Sequence, residues 1–135
     1  MTPPRGYLVR PVGRVESSLV DRRVAPKQGD EGAPDAWLVF DEALLPALSD
    51  LAAGMQVIVL TWLHQARRDV LRVHPRDDPA NPETGVFATR SADRPNPIGL
   101  HRVEILAVRG RRVKVGGLEA VSGTPIIDLK PVLRP

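Results

Sequence analysis

The chain has 135 residues, a formal charge of +3 and no cysteine. This length fits one domain that buries its own core, and the lack of cysteine excludes disulfides, thiolate metal sites and cysteine nucleophiles. The small basic excess suits a polyanionic partner such as RNA, but an excess of this size is more typical of an ordinary soluble basic protein.

The first half of the chain predicts short strands around one short helix. Residues 6–16 predict a strand that bends at Pro11, and residues 36–40 predict a second strand. Residues 41–53 have leucines at helical spacing, and Pro46 predicts either a short helix or one that starts near Leu45. Residues 55–62 form the clearest strand, and their continuous apolar character predicts burial on both faces.

The second half predicts further strands, with a hairpin turn at Gly110-Arg111. The predicted strands are residues 69–74, 86–91, 100–108, 112–115 and 125–129. The fold class is therefore mainly β, a compact single-domain β-barrel of seven or eight strands with one or two short helices over residues 1–135. We expect no secretory signal and no membrane span, because residues 55–63 are the longest apolar run and are far too short.

The densest motif runs from Gly85 to Leu100, Gly-Val-Phe-Ala-Thr-Arg-Ser-Ala-Asp-Arg-Pro-Asn-Pro-Ile-Gly-Leu. Two prolines restrict the residues before them to extended conformations, which predicts a stiff loop that presents Arg90, Arg94 and Asn96. Guanidinium groups on such a loop suit a carboxylate or phosphate ligand. A well-built turn with solvated arginines is an equally good interpretation of the residues alone.

This motif resembles the signature of the TsaA-like tRNA methyltransferases. The resemblance extends over nearly the whole chain, from residue 13 to residue 131. Its other parts are Gly13-Arg-Val-Glu-Ser17, Pro26-Lys-Gln28, His64-Gln65 and Ser122-Gly-Thr-Pro-Ile-Ile-Asp-Leu-Lys-Pro131.

The resemblance implies a β-barrel homodimer that holds S-adenosyl-L-methionine near the dimer interface. A cytoplasmic location is expected because the lack of cysteine suits a reducing compartment. The resemblance also implies methylation of tRNA at N6 of N6-threonylcarbamoyladenosine, at position 37 beside the anticodon. From the residues alone we expect neither a metal nor a membrane partner. The cofactor contacts that it implies are Gln28, Gly29, His64, Gln65, Arg90, Leu100, Ser122, Gly123 and Thr124.

Individual roles follow from the chemistry of these ligands. Arg90 suits the cofactor carboxylate, and Leu100 suits the adenine face. Gln28 and Gln65 suit amino-acid or base edges.

The modified base brings a second carboxylate, that of its threonyl group. Arg94 is the candidate partner for that group, with Asn96 beside it as a second substrate residue. His64 is either the proton acceptor of the reaction or a passive cofactor contact.

Two departures from the family pattern bear on the site. Ser122 stands where the family commonly has aspartate, and glycine directly follows Gln28 where proline is frequent. The contact of each turn with cofactor or substrate is therefore open.

Other functions have weaker support. A non-catalytic basic RNA-binding barrel would show a similar charge, and a family relative acting on another substrate would show the same motifs. His64, His74 and His101 fall on separate elements without a metal-ligand spacing, and no serine-hydrolase elbow is present.

Overall fold

The computed structural model describes residues 5–27 and 31–134, and its regular structure is mainly β-strand. The strands are β1 Gly13–Glu16, β2 Ala36–Phe40, β3 Gln56–Trp62, β4 Arg72–Val73, β5 Thr84–Gly85, β6 Ile98–Arg109, β7 Arg112–Val115 and β8 Pro125–Pro131. The helical segments with described bounds are 3₁₀ turns, at Arg22–Val24, Glu42–Leu48, Pro75–Asp77 and Val86–Ala88.

Six strands close into a barrel in the order β1-β2-β7-β6-β3-β8, and β4 and β5 form a separate two-stranded sheet. Every pairing in the barrel is antiparallel. Closure leaves no unpaired barrel edge, which is how small all-β domains avoid edge-to-edge association. The predicted fold class, a compact mainly β barrel, is confirmed.

Strand β6 is the longest, with 12 residues, and its side chains alternate between the barrel interior and the exterior. Gly99, His101 and Val103 are buried, whereas Leu100 and Arg102 are exposed. A tight turn with Gly110 at a φ of 59° leads from β6 into β7, which confirms the predicted hairpin. The alternation fixes which residues of the signature motif can reach the core.

The barrel interior is filled by aliphatic side chains from most of the strands. Fully buried members are Val15, Leu38, Val57, Val59, Ile105, Val113, Val115, Leu118 and Ile126. Branched aliphatic residues fit a pleated surface and pack without polar atoms to satisfy, so they suit the interior of a narrow barrel.

Burial of both faces of β3 was expected and is wrong. Val57 and Val59 are completely buried on the inner face, whereas Ile58, Leu60 and Trp62 on the outer face are half-buried. A single closed barrel has only one interior, so the second face of a strand is covered only by loops and neighbouring side chains.

Several predicted bounds also differ from the structure. The first strand covers only the last four residues of the predicted range, because proline at position 11 donates no ladder hydrogen bond. The expected helix near Leu45 is the 3₁₀ turn Glu42–Leu48, with Pro46 inside it. Residues 69–74 pair only at Arg72–Val73, and residues 86–91 begin with the 3₁₀ turn Val86–Ala88.

Candidate functional site

An open cleft of about 790 Å³ lies at one end of the barrel. Antiparallel pairing brings the ends of β1 and β3 and the beginnings of β6 and β8 to this end. The lining comes chiefly from residues 25–27, 63–66, 74–77, 88–94, 98–104 and 119–121, together with Thr124. The motif residues, which are far apart in sequence, therefore meet at one cavity of a size typical of small-molecule sites, about 300–1,000 Å³.

Asp93 joins three segments of the cleft wall. Its Oδ1 accepts a hydrogen bond of 2.8 Å from the Arg67 backbone N–H and lies 3.4 Å from an Arg22 guanidinium nitrogen. Arg22 also donates to the backbone carbonyl of Gln65 at 2.6 Å. The loop after β1, the loop after β3 and the motif segment are thus tied together.

His64 and Gln65 lie in the tied loop after β3, and both line the cleft. Both residues are exposed, and neither side chain has a hydrogen-bond partner in the part of the chain that the structure describes. Both side chains are therefore available to a ligand.

Arg94 organises the motif segment from within. Its guanidinium donates to the backbone carbonyls of Val86, Thr89 and Ser91, at 2.8, 3.0 and 3.1 Å. These contacts hold the residues on either side of Arg90 in a fixed path. A substrate role for Arg94 stays a prediction, and most of its donors already serve the loop.

Asn96 is held in a similar way by Arg68. The Arg68 guanidinium donates to Asn96 Oδ1 at 3.0 Å and to the Pro95 carbonyl at 2.7 Å, and it lies 5.1 Å from the centre of the Trp62 ring. Pro97 is buried, and its carbonyl accepts from Leu63 N–H at 2.8 Å. Arginine contacts therefore brace the proline segment, and its predicted stiffness stays a prediction.

Arg90 and Leu100 present a different pair of surfaces to the cleft. Arg90 is exposed and forms no ion pair or hydrogen bond with any residue in 5–27 or 31–134. Leu100 is 42% exposed on the outer face of β6, next to Ile98 at 47%. The cleft therefore offers a free cation and an apolar face, which suit a carboxylate and an aromatic ring.

The turn before β8 closes the far wall. The Ser122 hydroxyl accepts from the Ser17 backbone N–H at 3.2 Å, and Gly123 adopts a φ of 88° that favours glycine. Thr124 is buried, and its hydroxyl donates to the Val121 carbonyl at 2.7 Å. Of these residues only Thr124 and Val121 line the cleft, so cofactor contacts by Ser122 and Gly123 stay predictions.

Gln28 and Gly29 lie outside the described residues. The adjoining residues Pro26 and Lys27 do line the cleft, and Lys27 forms an ion pair with Asp77. The first loop therefore reaches the cavity as expected, and the contacts of the two predicted residues stay predictions.

A polar group inside the barrel mouth was not predicted from the sequence. His101 is buried with Nε2 2.7 Å from Thr61 Oγ1, and its Nδ1 pairs with Glu119 Oε1. The sequence signal was a titratable residue at an inward position of the alternating strand β6. Its partner Glu119 lies 18 residues away in a segment without regular structure, so the pair itself was not visible.

Arg67 and Asp69, in the loop after β3, form an exposed ion pair. The Arg67 guanidinium contacts Asp69 at 2.9 and 3.0 Å, and this side-chain hydrogen bonding holds the pKa of Asp69 below its ordinary value. A second such pair lies in the first loop, where Arg23 lowers the pKa of Asp21. Both carboxylates stay ionised at neutral pH, so they offset the positive charge around the cleft.

Comparison with known proteins decides the family. Residues 14–135 match the model of the tRNA-methyltransferase O N-terminal domain. The chain belongs to this family. The resemblance inferred from the motifs is confirmed over nearly the same range of residues.

Relatives of the tRNA-methyltransferase O N-terminal domain include proteins of similar length. A probable S-adenosyl-L-methionine-binding protein of Methanothermobacter thermautotrophicus is 42% identical over 91% of this chain and 88% of its own length. An S-adenosyl-L-methionine-binding protein of Archaeoglobus fulgidus is 43% identical over 91% of this chain and 87% of its own length.

Solved structures that share this fold are longer. The crystal structure of TrmO from Pseudomonas aeruginosa superposes with a TM-score of 0.77 at 28% identity and covers 98% of this chain. The chain spans 57% of that structure. The shared part is therefore the barrel domain.

Within residues 5–27 and 31–134, no helix is both long and apolar enough to cross a membrane. Over the same residues, no three or more His, Cys, Asp or Glu side chains cluster as a metal site would require.

Proposed function

We propose that this domain binds S-adenosyl-L-methionine in the cleft and transfers its methyl group to N6 of N6-threonylcarbamoyladenosine at position 37 of tRNA. The observation that carries the proposal is the convergence of the family motifs on one cavity. Arg90, Leu100, Gln65 and Thr124 come from four separate segments and all line it.

The cleft matches the chemistry of the cofactor. The cofactor has a carboxylate, an ammonium group and an adenine ring, and it supplies an electrophilic methyl group on a sulfonium. The Arg90 guanidinium, which has no partner among residues 5–27 and 31–134, can pair with the carboxylate, and Leu100 with Ile98 offers an apolar face to the ring. Gln65 offers both amide donors and an amide acceptor to the remaining polar edges. The names of the relatives support the same cofactor.

Methyl transfer to nitrogen depends mainly on alignment, and the loops of the cleft provide it. Asp93, Arg94 and Arg68 each fix loop backbone through hydrogen bonds to neighbouring segments. His64, at the cleft edge, is a cofactor contact in this proposal. Arg94 and Asn96 are proposed on the substrate side, where Arg94 has donor capacity left beside its three carbonyls.

RNA would approach over a rim rich in arginine. Arg22, Arg76, Arg90 and Arg102 line the cleft and are exposed, as is suited to phosphate contacts that position an anticodon loop. The homodimer belongs to this proposal as well, because the family resemblance places the cofactor near a dimer interface.

The test is calorimetry with S-adenosyl-L-methionine followed by methylation of purified tRNA, with and without its threonylcarbamoyl group. We expect saturable binding of S-adenosyl-L-methionine, the methyl donor, and methylation only of the modified tRNA. Arg90→Gln should weaken donor binding, whereas Arg109→Gln, an exposed arginine at the far end of β6, should not. Failure of the wild-type protein to bind the donor, with tRNA binding retained, would favour the non-catalytic RNA-binding barrel. Methylation of a different nucleoside would keep the reaction class and change the substrate.

A further inference from the structure

A buried hydrogen-bonded chain connects the barrel interior to the cleft. Thr61 is fully buried on β3, and His101 on β6 has a side chain only 5% exposed. His101 contacts Thr61 through Nε2 and Glu119 through Nδ1. Glu119 is 17% exposed and, like His101, lines the cleft. This series of hydrogen bonds therefore ends in the Glu119 carboxylate at the cavity wall.

The imidazole ring fixes the orientation of this carboxylate. A carboxylate accepts hydrogen bonds, so the facing Nδ1 carries the proton, and Nε2 is left to accept from the Thr61 hydroxyl. Rotation of the ring would break both contacts in a buried site, where unpaired polar groups are costly. Glu119 Oε1 is thereby held in place, and Oε2 accepts no hydrogen bond from any described residue.

This pairing resembles the arrangement used to prepare a general base, in which a second group orients the residue that meets the substrate. A carboxylate at a cleft wall with one oxygen engaged and the other open is suited to accept a proton. The absence of a side chain on Gly99 leaves space for the His101 ring, because a Cβ at that position would lie 2.6 Å from His101 Nε2.

We propose that Glu119 is a catalytic residue that accepts the proton from the methylated nitrogen, and that His101 is its positioning residue. The inference rests on the proposed function. As the nitrogen–methyl bond forms, the sulfur–methyl bond breaks and its electron pair stays on sulfur. The proton on nitrogen moves to Glu119 Oε2, its N–H bonding pair stays on nitrogen, and the carboxyl group later releases the proton to water.

His64 is the other candidate proton acceptor near the cleft. Its residue is exposed, and its imidazole has no hydrogen-bond partner among residues 5–27 and 31–134 that would fix its orientation. A freely rotating side chain positions a proton acceptor less well than one held by a buried partner. The geometry therefore favours Glu119 over His64 as the proton acceptor.

The experiment measures single-turnover methylation by Glu119→Gln and Glu119→Ala at saturating donor and tRNA. Loss of a positioned proton acceptor should lower the rate about 10²–10⁴-fold. Donor affinity by calorimetry should change less than about twofold, since Oε2 faces the nitrogen in this proposal. Formate should restore activity to Glu119→Ala in a concentration-dependent way, because it supplies a carboxylate to the vacated volume.

Glu16→Gln is the matched control. Glu16 is a partly exposed carboxylate that pairs with Arg112 at 3.0 Å, and it does not line the cleft. The Glu16→Gln variant should retain the wild-type single-turnover methylation rate. Glu119→Gln keeps an oxygen for His101 to bond, so a folded Gln variant removes basicity while keeping the structure.

His101 is tested through a readout independent of activity. The buried Nδ1–H should give an exchange-protected imidazole proton resonance in the wild-type protein, and Glu119→Ala should lose it. His101→Asn should lower the maximal rate with little change in the KM of either substrate.

Three results would overturn the inference. One is an unchanged single-turnover rate in folded Glu119→Gln while the wild-type protein methylates tRNA. Another is weakened donor binding with an unchanged maximal rate, which would make Glu119 a binding contact. The third is absence of formate rescue in a folded Glu119→Ala protein. If the wild-type protein does not methylate at all, the proposed function fails instead.

Discussion

Replacing Gly99 with alanine tests the packing around the polar group in the barrel mouth. A Cβ at this position would lie 2.4 Å from Thr61 Oγ1 and 2.6 Å from His101 Nε2. Ordinary contacts between heavy atoms are about 3.5–4.0 Å, so both neighbours would have to move by about 1 Å. Both side chains are buried and hydrogen-bonded, so a movement of either one disturbs the contact between them or the contact of His101 with Glu119.

The magnitude follows from two costs. Overpacking of a filled core costs about 1–3 kcal/mol. Disruption of the buried bond between Thr61 and His101 adds about 1–3 kcal/mol, because both polar groups stay away from water. We therefore expect Gly99→Ala to lower the free energy of unfolding by about 2–6 kcal/mol, and the melting temperature by about 6 °C or more.

Urea and thermal unfolding of matched variants provide the assay. Gly85→Ala is the control, because an added Cβ there would meet nothing within 4 Å and the φ of −60° suits alanine. It should change stability by less than about 0.5 kcal/mol. In a Thr61→Ala background the nearer clashing atom is gone, so Gly99→Ala should cost at least about 1 kcal/mol less there. Equal losses for the two glycine variants, or strict additivity with Thr61→Ala, would refute the packing argument.

Three further predictions concern other parts of the barrel and its loops. Gly13→Ala should destabilise the protein by about 1–3 kcal/mol in urea unfolding, because its Cβ would lie 2.4 Å from the Val39 backbone oxygen; unchanged stability would show that β1 and β2 separate easily. Arg94→Ala should cost about 1–3 kcal/mol and speed amide hydrogen exchange in residues 86–91, because three carbonyls lose the hydrogen bond from Arg94 and those of Thr89 and Ser91 keep no other donor among the described residues; unchanged exchange there would contradict its bracing role. Carboxyl NMR titration should give Asp69 a pKa below 3.8 that rises in Arg67→Ala. Because folding lowers the pKa of Asp69, the ion pair stabilises the protein fully above the ordinary pKa of 3.8, and this stabilisation declines as the pH falls through the pKa of the folded protein. An Asp69 pKa at or above 3.8 in the wild-type protein would exclude this stabilisation.

The strands were largely predictable because their signal is local. Alternation along β6 and the apolar run of β3 are properties of neighbouring residues, and antiparallel pairing with short turns then follows. The helix prediction was less accurate because Pro46 permits a 3₁₀ turn whose bounds depend on its packing. The burial of the outer face of β3 could not be predicted, because it depends on loops whose path is not determined by any local sequence pattern.

The candidate site was predictable where the family motif supplied it, and elsewhere it was not. The motif indicated Arg90 and Leu100, and both line the cleft. It did not indicate that the Arg94 guanidinium serves backbone carbonyls, because that depends on the folded path of its own loop. The pairing of His101 with Glu119 depends on a segment that returns across the barrel mouth, so neither residue revealed the other.

The bridge formed by Asp93 has a thermodynamic consequence for the order in which ligands bind. Through Arg22 and Arg67, this carboxylate makes the mobility of the first loop, the loop after β3 and the motif segment interdependent. A molecule that immobilises any one of these segments lowers the entropy that the others still have to lose. Small-molecule and RNA occupancy should therefore reinforce one another through linkage, by equal factors in both directions and without a large rearrangement of the barrel.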